Sequence, residues 1–263
     1  MTSEDKTNPM RSLTYQLDLI SHLVQRDFRV RYTGSMLGVL WSVVLPLVQL
    51  LVFVFLFNRI VPLGIDDYPA FVFSALLPWT WFSNCVSSAG GAFTGNRDML
   101  RRPHFAPATL VIVNTLANLL TYLVSLPILL VVLAWHGRTL SLALLAFPLL
   151  VLIQSILLIG LGLIVATLNV FYRDIQYLTR VALSLLFYLI PVFYRPQQLD
   201  TDYSQILMMN PIAVLIQSYR DIFFFQRTPD WHALFFIGVA SLVIGILGYL
   251  IYFRQQPHVI DAL

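Results

Sequence analysis

Thirteen acidic residues, five histidines and one cysteine are the groups from which this 263-residue chain could build a catalytic or metal site. Their spacing supports neither. His22, His104, His136, His232 and His258 never pair at ligand spacing, and a single Cys85 excludes an internal disulfide framework and any cysteine cluster. Asp66-Asp67, between Pro62 and Pro69, fits a solvated turn better than an acid–base pair, and Asp200 with Asp202 fits the same description. No G-x-S-x-G elbow occurs. The sole lysine, Lys6, follows Asp5, whereas a phosphate-cradling loop needs lysine directly after glycine. The pattern therefore predicts no catalytic residue, no metal site and no cofactor in this chain. Uphill transport would require a second polypeptide that hydrolyses ATP.

The elements that hold these residues are set by composition. The chain is 58% hydrophobic and 11% charged, against about a quarter charged in a soluble domain. Its mean hydropathy is +0.78. It is expected to be an all-α integral membrane protein. Uncharged stretches run over 32–58, 68–96, 103–137, 139–172 and 231–253. Each reaches the roughly 20 residues a helix needs to cross the hydrocarbon. A sixth span starts near Ile175, with Arg180 extending to the interface. The stretch 203–219 is short and broken by Asn210-Pro211, which predicts a re-entrant hairpin or outer interface helices before the last span. Six crossings put both termini on one side. Eleven cationic residues fall on that side and five on the other, so the positive-inside bias places the termini in the cytosol. The polar stretch of about thirty residues before the first span is too long and too polar for a signal peptide; the N-terminus is expected to be retained.

Two domains follow: a cytosolic arm, 1–33, and a single six-span domain, 34–263. In the arm, Leu13, Leu17, Ile20, Val24 and Phe28 form one helical stripe. Such a helix lies along the headgroups or packs on a soluble partner. Within the expected spans, no carboxylate is placed to relay protons, which argues against ion-coupled transport.

Three segments remain for transport. The loop Gly95-Asn96-Arg97-Asp98-Met99-Leu100-Arg101-Arg102-Pro103 is either a short lever between two spans or a basic loop that serves topology alone. Aromatic residues gather at Trp79, Trp81 and Phe82, at Phe187, Tyr188, Phe193 and Tyr194, and at Phe223–Phe225. They suit an interfacial belt, and they also suit a path on which sugar rings stack. Gly34 with Gly38, and Gly160 with Gly162, permit close helix approach within one subunit or between two.

Arg26-Asp27-Phe28-Arg29-Val30-Arg31-Tyr32, Leu37-Gly38-Val39-Leu40-Trp41, Pro46, Ser74-Ala75-Leu76-Leu77-Pro78-Trp79 and Phe82-Ser83-Asn84 form one set of blocks. Leu168-Asn169-Val170-Phe171-Tyr172-Arg173-Asp174, Pro191-Val192-Phe193-Tyr194 and Met209-Asn210-Pro211 continue it. Together they resemble the type-2 ABC export permeases that move lipid-linked O-antigen, capsule or teichoic-acid polymers. The resemblance implies a bacterial inner-membrane permease that pairs with a copy of itself and with two cytosolic ATPase subunits holding ATP and Mg. No nucleic-acid partner is implied. It makes Asn96, Arg97, Asp98, Met99, Leu100, Arg101 and Arg102 an ATPase-coupling helix. Trp41, Tyr188, Phe193 and Tyr194 become conduit-lining residues. Gln205 to Phe225 becomes an outer gate that includes Asn210, Pro211, Tyr219 and Arg220. One departure is Pro103-His104-Phe105-Ala106-Pro107, where the family commonly runs Phe directly into Pro. The expected function is export of a lipid-linked polysaccharide; an exporter of a small amphiphile or drug, and a membrane glycosyltransferase, are the alternatives.

Overall fold

A chain this apolar must satisfy its backbone polar groups internally, and helices do so within one segment. The computed structural model describes residues 9–34, 38–100, 105–139, 141–196, 202, 207 and 209–261, and no strand occurs among them. α1 spans Pro9–Tyr32, α2 Trp41–Phe55, α3 Tyr68–Ala89, α4 Arg97–Leu100 and α5 Ala108–Trp135. α6 follows at Phe147–Phe171, α7 at Asp174–Leu189, α8 at Pro211–Phe223 and α9 at Trp231–Asp261. A π-helical turn, Leu56–Ile60, prolongs α2, and a 3-10 turn, Leu142–Ala146, leads into α6.

Four helices are long and apolar enough to cross a bilayer: Trp41–Ile60, Ala108–Trp135, Leu142–Phe171 and Trp231–Gln256. The sequence pattern predicts six, and the other two fall short for different reasons. α3 has 22 residues, about 33 Å of helix, so its length suffices. It is the central helix, with Ala70, Phe71, Val72, Ala75 and Leu76 fully buried and α2, α5, α6, α7 and α8 packed around it. A helix that faces protein has no need of a lipophilic surface, which is why Ser74 and Thr80, each bonded to a carbonyl of its own helix, are tolerated there. α7 has only 16 residues, about 24 Å, and none of them is buried.

Proline and glycine set the closest approaches. Pro46 has no N–H to give the Ser42 carbonyl one turn back, and Ser125 Oγ donates to that carbonyl at 3.2 Å, tying α2 to α5. Gln154 Nε2 donates to the Pro78 carbonyl at 3.0 Å, tying α6 to α3. A Cβ on Gly160 of α6 would lie 2.7 Å from the Gly245 backbone of α9, so the two helices meet backbone to backbone. Gly34 and Gly38 behave otherwise. Their φ angles are +81° and +50°, and nothing lies within 4 Å of where a Cβ would sit. That pair turns the chain between α1 and α2, and no described helix of this subunit packs on it, so the within-subunit close approach is not made there.

Part of α1 packs inside the chain. Leu23 and Val24 are buried against Val113 and Ala117 of α5, with Leu19 and Ile20 partly covered. Of the stripe itself, Val24 is buried and Ile20 and Phe28 are half-buried among the described residues.

Candidate functional site

The predicted lever is a four-residue helix. Asn96 precedes it, donating from Nδ2 to the Ala92 carbonyl at 3.0 Å and accepting a 3.5 Å bond from Arg26 of α1. Arg97 and Asp98 are exposed, Met99 is half-buried, and Leu100 is buried with Phe93, Leu110, Val111 and Tyr252. One side is thus anchored on the ends of α5 and α9 while the charged side is free to meet a partner. Arg101 and Arg102 lie outside the described residues.

Three of the four conduit candidates come together. Phe193 stacks on Phe53 and Phe57 of the α2 span, with ring centroids at 5.9 and 5.5 Å. Tyr194 meets it edge-on at 5.1 Å and Tyr188 at 6.4 Å. Tyr188 is 66% exposed, whereas Phe193 and Tyr194 are half-buried. Trp41 stands apart, twelve residues before Phe53 on the same helix axis, or about 18 Å. Its indole lines a separate cavity.

The gate candidates are held by burial and hydrogen bonds. Asn210 caps α8, its Oδ1 accepting from the Ile212 N–H at 3.0 Å, and Pro211 occupies the first turn, where a missing N–H costs nothing. α8 has 13 residues, too few to cross a bilayer. Tyr219 is fully buried, edge-on to Tyr122 and Phe147. Arg220 is also fully buried. Its guanidinium donates to the Val192 carbonyl at 2.6 Å, to Gln217 Oε1 at 3.1 Å and to the Phe71 carbonyl at 3.4 Å, and it sits 3.9 Å from the Phe71 ring. One side chain thereby joins α8, α3 and the segment after α7. Burial lowers the guanidinium's proton affinity, and neighbouring Asp221 opposes that. The Asp221 carboxyl is raised above the ordinary aspartate value by burial, against the hydrogen bonds and charge of Arg227 at 2.8 Å. Beside this knot, Arg138 bonds Asp67 at 2.8 Å and lies 4.5 Å from the Phe224 ring.

A polar network that the sequence reading missed ties α1 to α3 and α5. Arg31 bonds Asp27 at 2.9 Å, Asn118 at 2.8 Å and Asn114 at 3.2 Å. Ser88 donates to Asn114 Oδ1 at 2.7 Å, and Asn114 Nδ2 donates to the Cys85 carbonyl at 2.9 Å. Two asparagines one turn apart in an uncharged helix were the available signal. Polar side chains at that depth are kept only with partners.

Residues 18–224 match the family described as ABC-2 type transporter. The chain is 35% identical over 237 residues to the O-antigen export system permease protein RfbA of Myxococcus xanthus, covering 89% of this chain and 91% of that one. It is 31% identical over 239 residues to a protein of the same description from Klebsiella pneumoniae, covering 89% and 92%. Likeness to the polysialic acid transport protein KpsM of Escherichia coli is 24% over 249 residues, covering 92% and 95%. With the anchored lever, the outer knot and the apolar helices that carry them, these matches assign the chain: it belongs to the ABC-2 type transporter family.

Proposed function

We propose that the chain is the membrane subunit of an ATP-driven exporter that carries a lipid-linked polysaccharide across the bacterial cytoplasmic membrane. It works as a homodimer with two copies of a cytosolic ATPase, which hold the ATP and Mg. Six crossings are made by α2, α3, α5, α6, α7 and α9, with both termini in the cytosol, α1 at the inner headgroups and α8 as a re-entrant outer helix. The arm 1–33 and the span domain 34–263 act as the two parts of one subunit. One observation carries this reading: similarity to O-antigen permeases runs through almost the whole length of a chain that has no phosphate-cradling motif of its own.

The mechanism follows from which parts are anchored. An ATPase closing on ATP presses the Arg97-Asp98 face of α4. Leu100 and Met99 transmit the push to the ends of α5 and α9 because they are packed there. Through Arg26 and Asn96 the same push reaches α1. The Tyr188–Phe193–Tyr194 rings offer C–H stacking faces and hydroxyls to a passing glycan.

The test is translocation in vesicles that hold this chain with or without its ATPase. Lipid-linked glycan crosses only when both are present. Charge reversal at Arg97 and Asp98, or at Arg101 and Arg102, abolishes stimulated ATP turnover and export while the protein still inserts. Export that survives these reversals removes α4 from the coupling role, and ATP-driven release of a small amphiphile with no glycan movement replaces the cargo.

A further inference from the structure

The Phe193 ring is carried by a segment outside any helix. Ile190, the residue before Pro191, is extended at φ −93° and ψ 138°, the conformation a following proline favours, and α7 ends just before it. The carbonyls that follow must find donors elsewhere. Two consecutive ones are taken by side chains of different elements. The Val192 carbonyl accepts from Arg220 of α8 at 2.6 Å, and the Phe193 carbonyl accepts from the Tyr68 hydroxyl of α3 at 3.1 Å. These carbonyls belong to the two peptide planes that flank the Phe193 Cα. Holding both planes fixes φ and ψ of Phe193, and with them the direction in which its side chain leaves the backbone.

The two clamps are themselves joined. Tyr68 is 2% exposed, and its ring lies 6.3 Å from that of Phe71, one turn along α3. The Arg220 guanidinium sits 3.9 Å from the same Phe71 ring. On its other side Tyr68 meets Phe57 at 5.9 Å, and Phe57 is one of the rings on which Phe193 stacks. Tyr68 therefore touches both the backbone of Phe193 and the surface that receives its side chain. We propose that Tyr68 is a positioning residue of the glycan path: its hydroxyl, together with Arg220, sets the orientation of the Phe193 ring. That the ring meets a glycan rests on the exporter reading above; that the hydroxyl orients the ring does not.

The permease–ATPase complex is prepared with para-fluorophenylalanine in place of Phe193, held in nanodiscs and followed by fluorine NMR. Export of a polyprenyl-diphosphate-linked oligosaccharide is measured in parallel with the unlabelled complex in vesicles. Tyr68→Phe keeps the ring and deletes the hydroxyl alone. It shifts or broadens the fluorine resonance and raises the KM for the glycan about fivefold, which corresponds to about 1 kcal/mol, with a smaller change in kcat. Tyr122→Phe deletes a second buried hydroxyl, from an α5 ring that is 3% exposed and stacks on Trp81, and leaves both readouts at wild type. Replacement of Tyr68 by para-aminophenylalanine, which restores a donor, returns the KM to the wild-type value. An unchanged resonance in Tyr68→Phe overturns the proposal, and so does an equal change in Tyr122→Phe. A moved resonance with wild-type export kinetics supports the positioning role and retires Phe193 from the glycan path. If the wild-type complex exports no glycan, the exporter reading alone falls, and the fluorine resonance still decides the role of Tyr68.

Discussion

A buried cation is tolerated only when its surroundings replace water, and Arg220 has three carbonyl or amide oxygens and an aromatic face to do so. Arg220→Leu strips the Val192 and Phe71 carbonyls of this donor and removes a side chain that bridges α8, α3 and the segment after α7. The expected loss is about 3 kcal/mol, read as a lower unfolding midpoint in detergent. Lysine recovers less than half, because a point charge cannot reach three acceptors that a planar fork reaches together. A wild-type midpoint in Arg220→Leu removes the knot from the energetics of the outer face. The aromatic cluster divides in a similar way. Phe193 packs against both Phe53 and Phe57, so Phe193→Ala costs about 2 kcal/mol of stability. Tyr188 is mostly exposed, so Tyr188→Ala leaves the midpoint unchanged and lowers glycan export. If Tyr188→Ala exports normally, the ring belongs to the interfacial belt.

At the scale of elements, the glycines of α6 and α9 decide how closely two spans can pack. Gly160→Leu places side-chain atoms where the Gly245 backbone now lies, and overpacking of this kind costs about 1–3 kcal/mol. Lower thermal stability is expected, with no recovery by a second substitution on α9, because the atoms met there are backbone; Gly34→Ala, with open space around it, perturbs the linker and not this contact. The sequence carried the apolar helices well, because α2, α5, α6 and α9 announce themselves by hydropathy. It carried α3 less directly, since a helix enclosed by protein loses the lipophilic signature, and charge spacing alone revealed it. The lever was legible as a short charged segment, but the burial of Leu100 depends on α9, more than 130 residues later. Gly160 was visible as a thin point in α6, while its partners Gly245 and Gly248 gave no hint of which helix they would meet. The cluster around Phe193 was half legible. The residues after α7 were singled out by type, but Phe53 and Phe57 lie in a span whose pattern says only that it is apolar. The links from Arg31 to Asn114 and Asn118 were illegible for the same reason: long-range pairing is a property of the packed bundle, not of either helix alone.

At the scale of the whole molecule, burial is distributed unequally, and under the homodimer proposed above that inequality sets which helices face the second copy. The α6 span is half buried within the subunit, the α2 span is 11% buried, and α7 has no buried residue. Lipid alone is a poor neighbour for α7, because Arg180 and Ser184 are exposed on it beside Tyr177 and Tyr188. Two copies that bring α2 and α7 together enclose these polar and aromatic groups in a shared, wet path and leave the apolar outer faces of α5 and α9 to the bilayer. Cys85 is the sole cysteine and is buried, so Cys85→Ser gives a clean background. In that background Tyr188→Cys cross-links copy to copy in membranes, Leu242→Cys on the outward face of α9 does not, and locking the partner ATPase in its ATP-bound state lowers the Tyr188→Cys yield as the two subunits part. A dominant cross-link at Leu242→Cys with none at Tyr188→Cys would reverse the arrangement, placing α9 at the interface and turning the aromatic face of α7 outward to lipid.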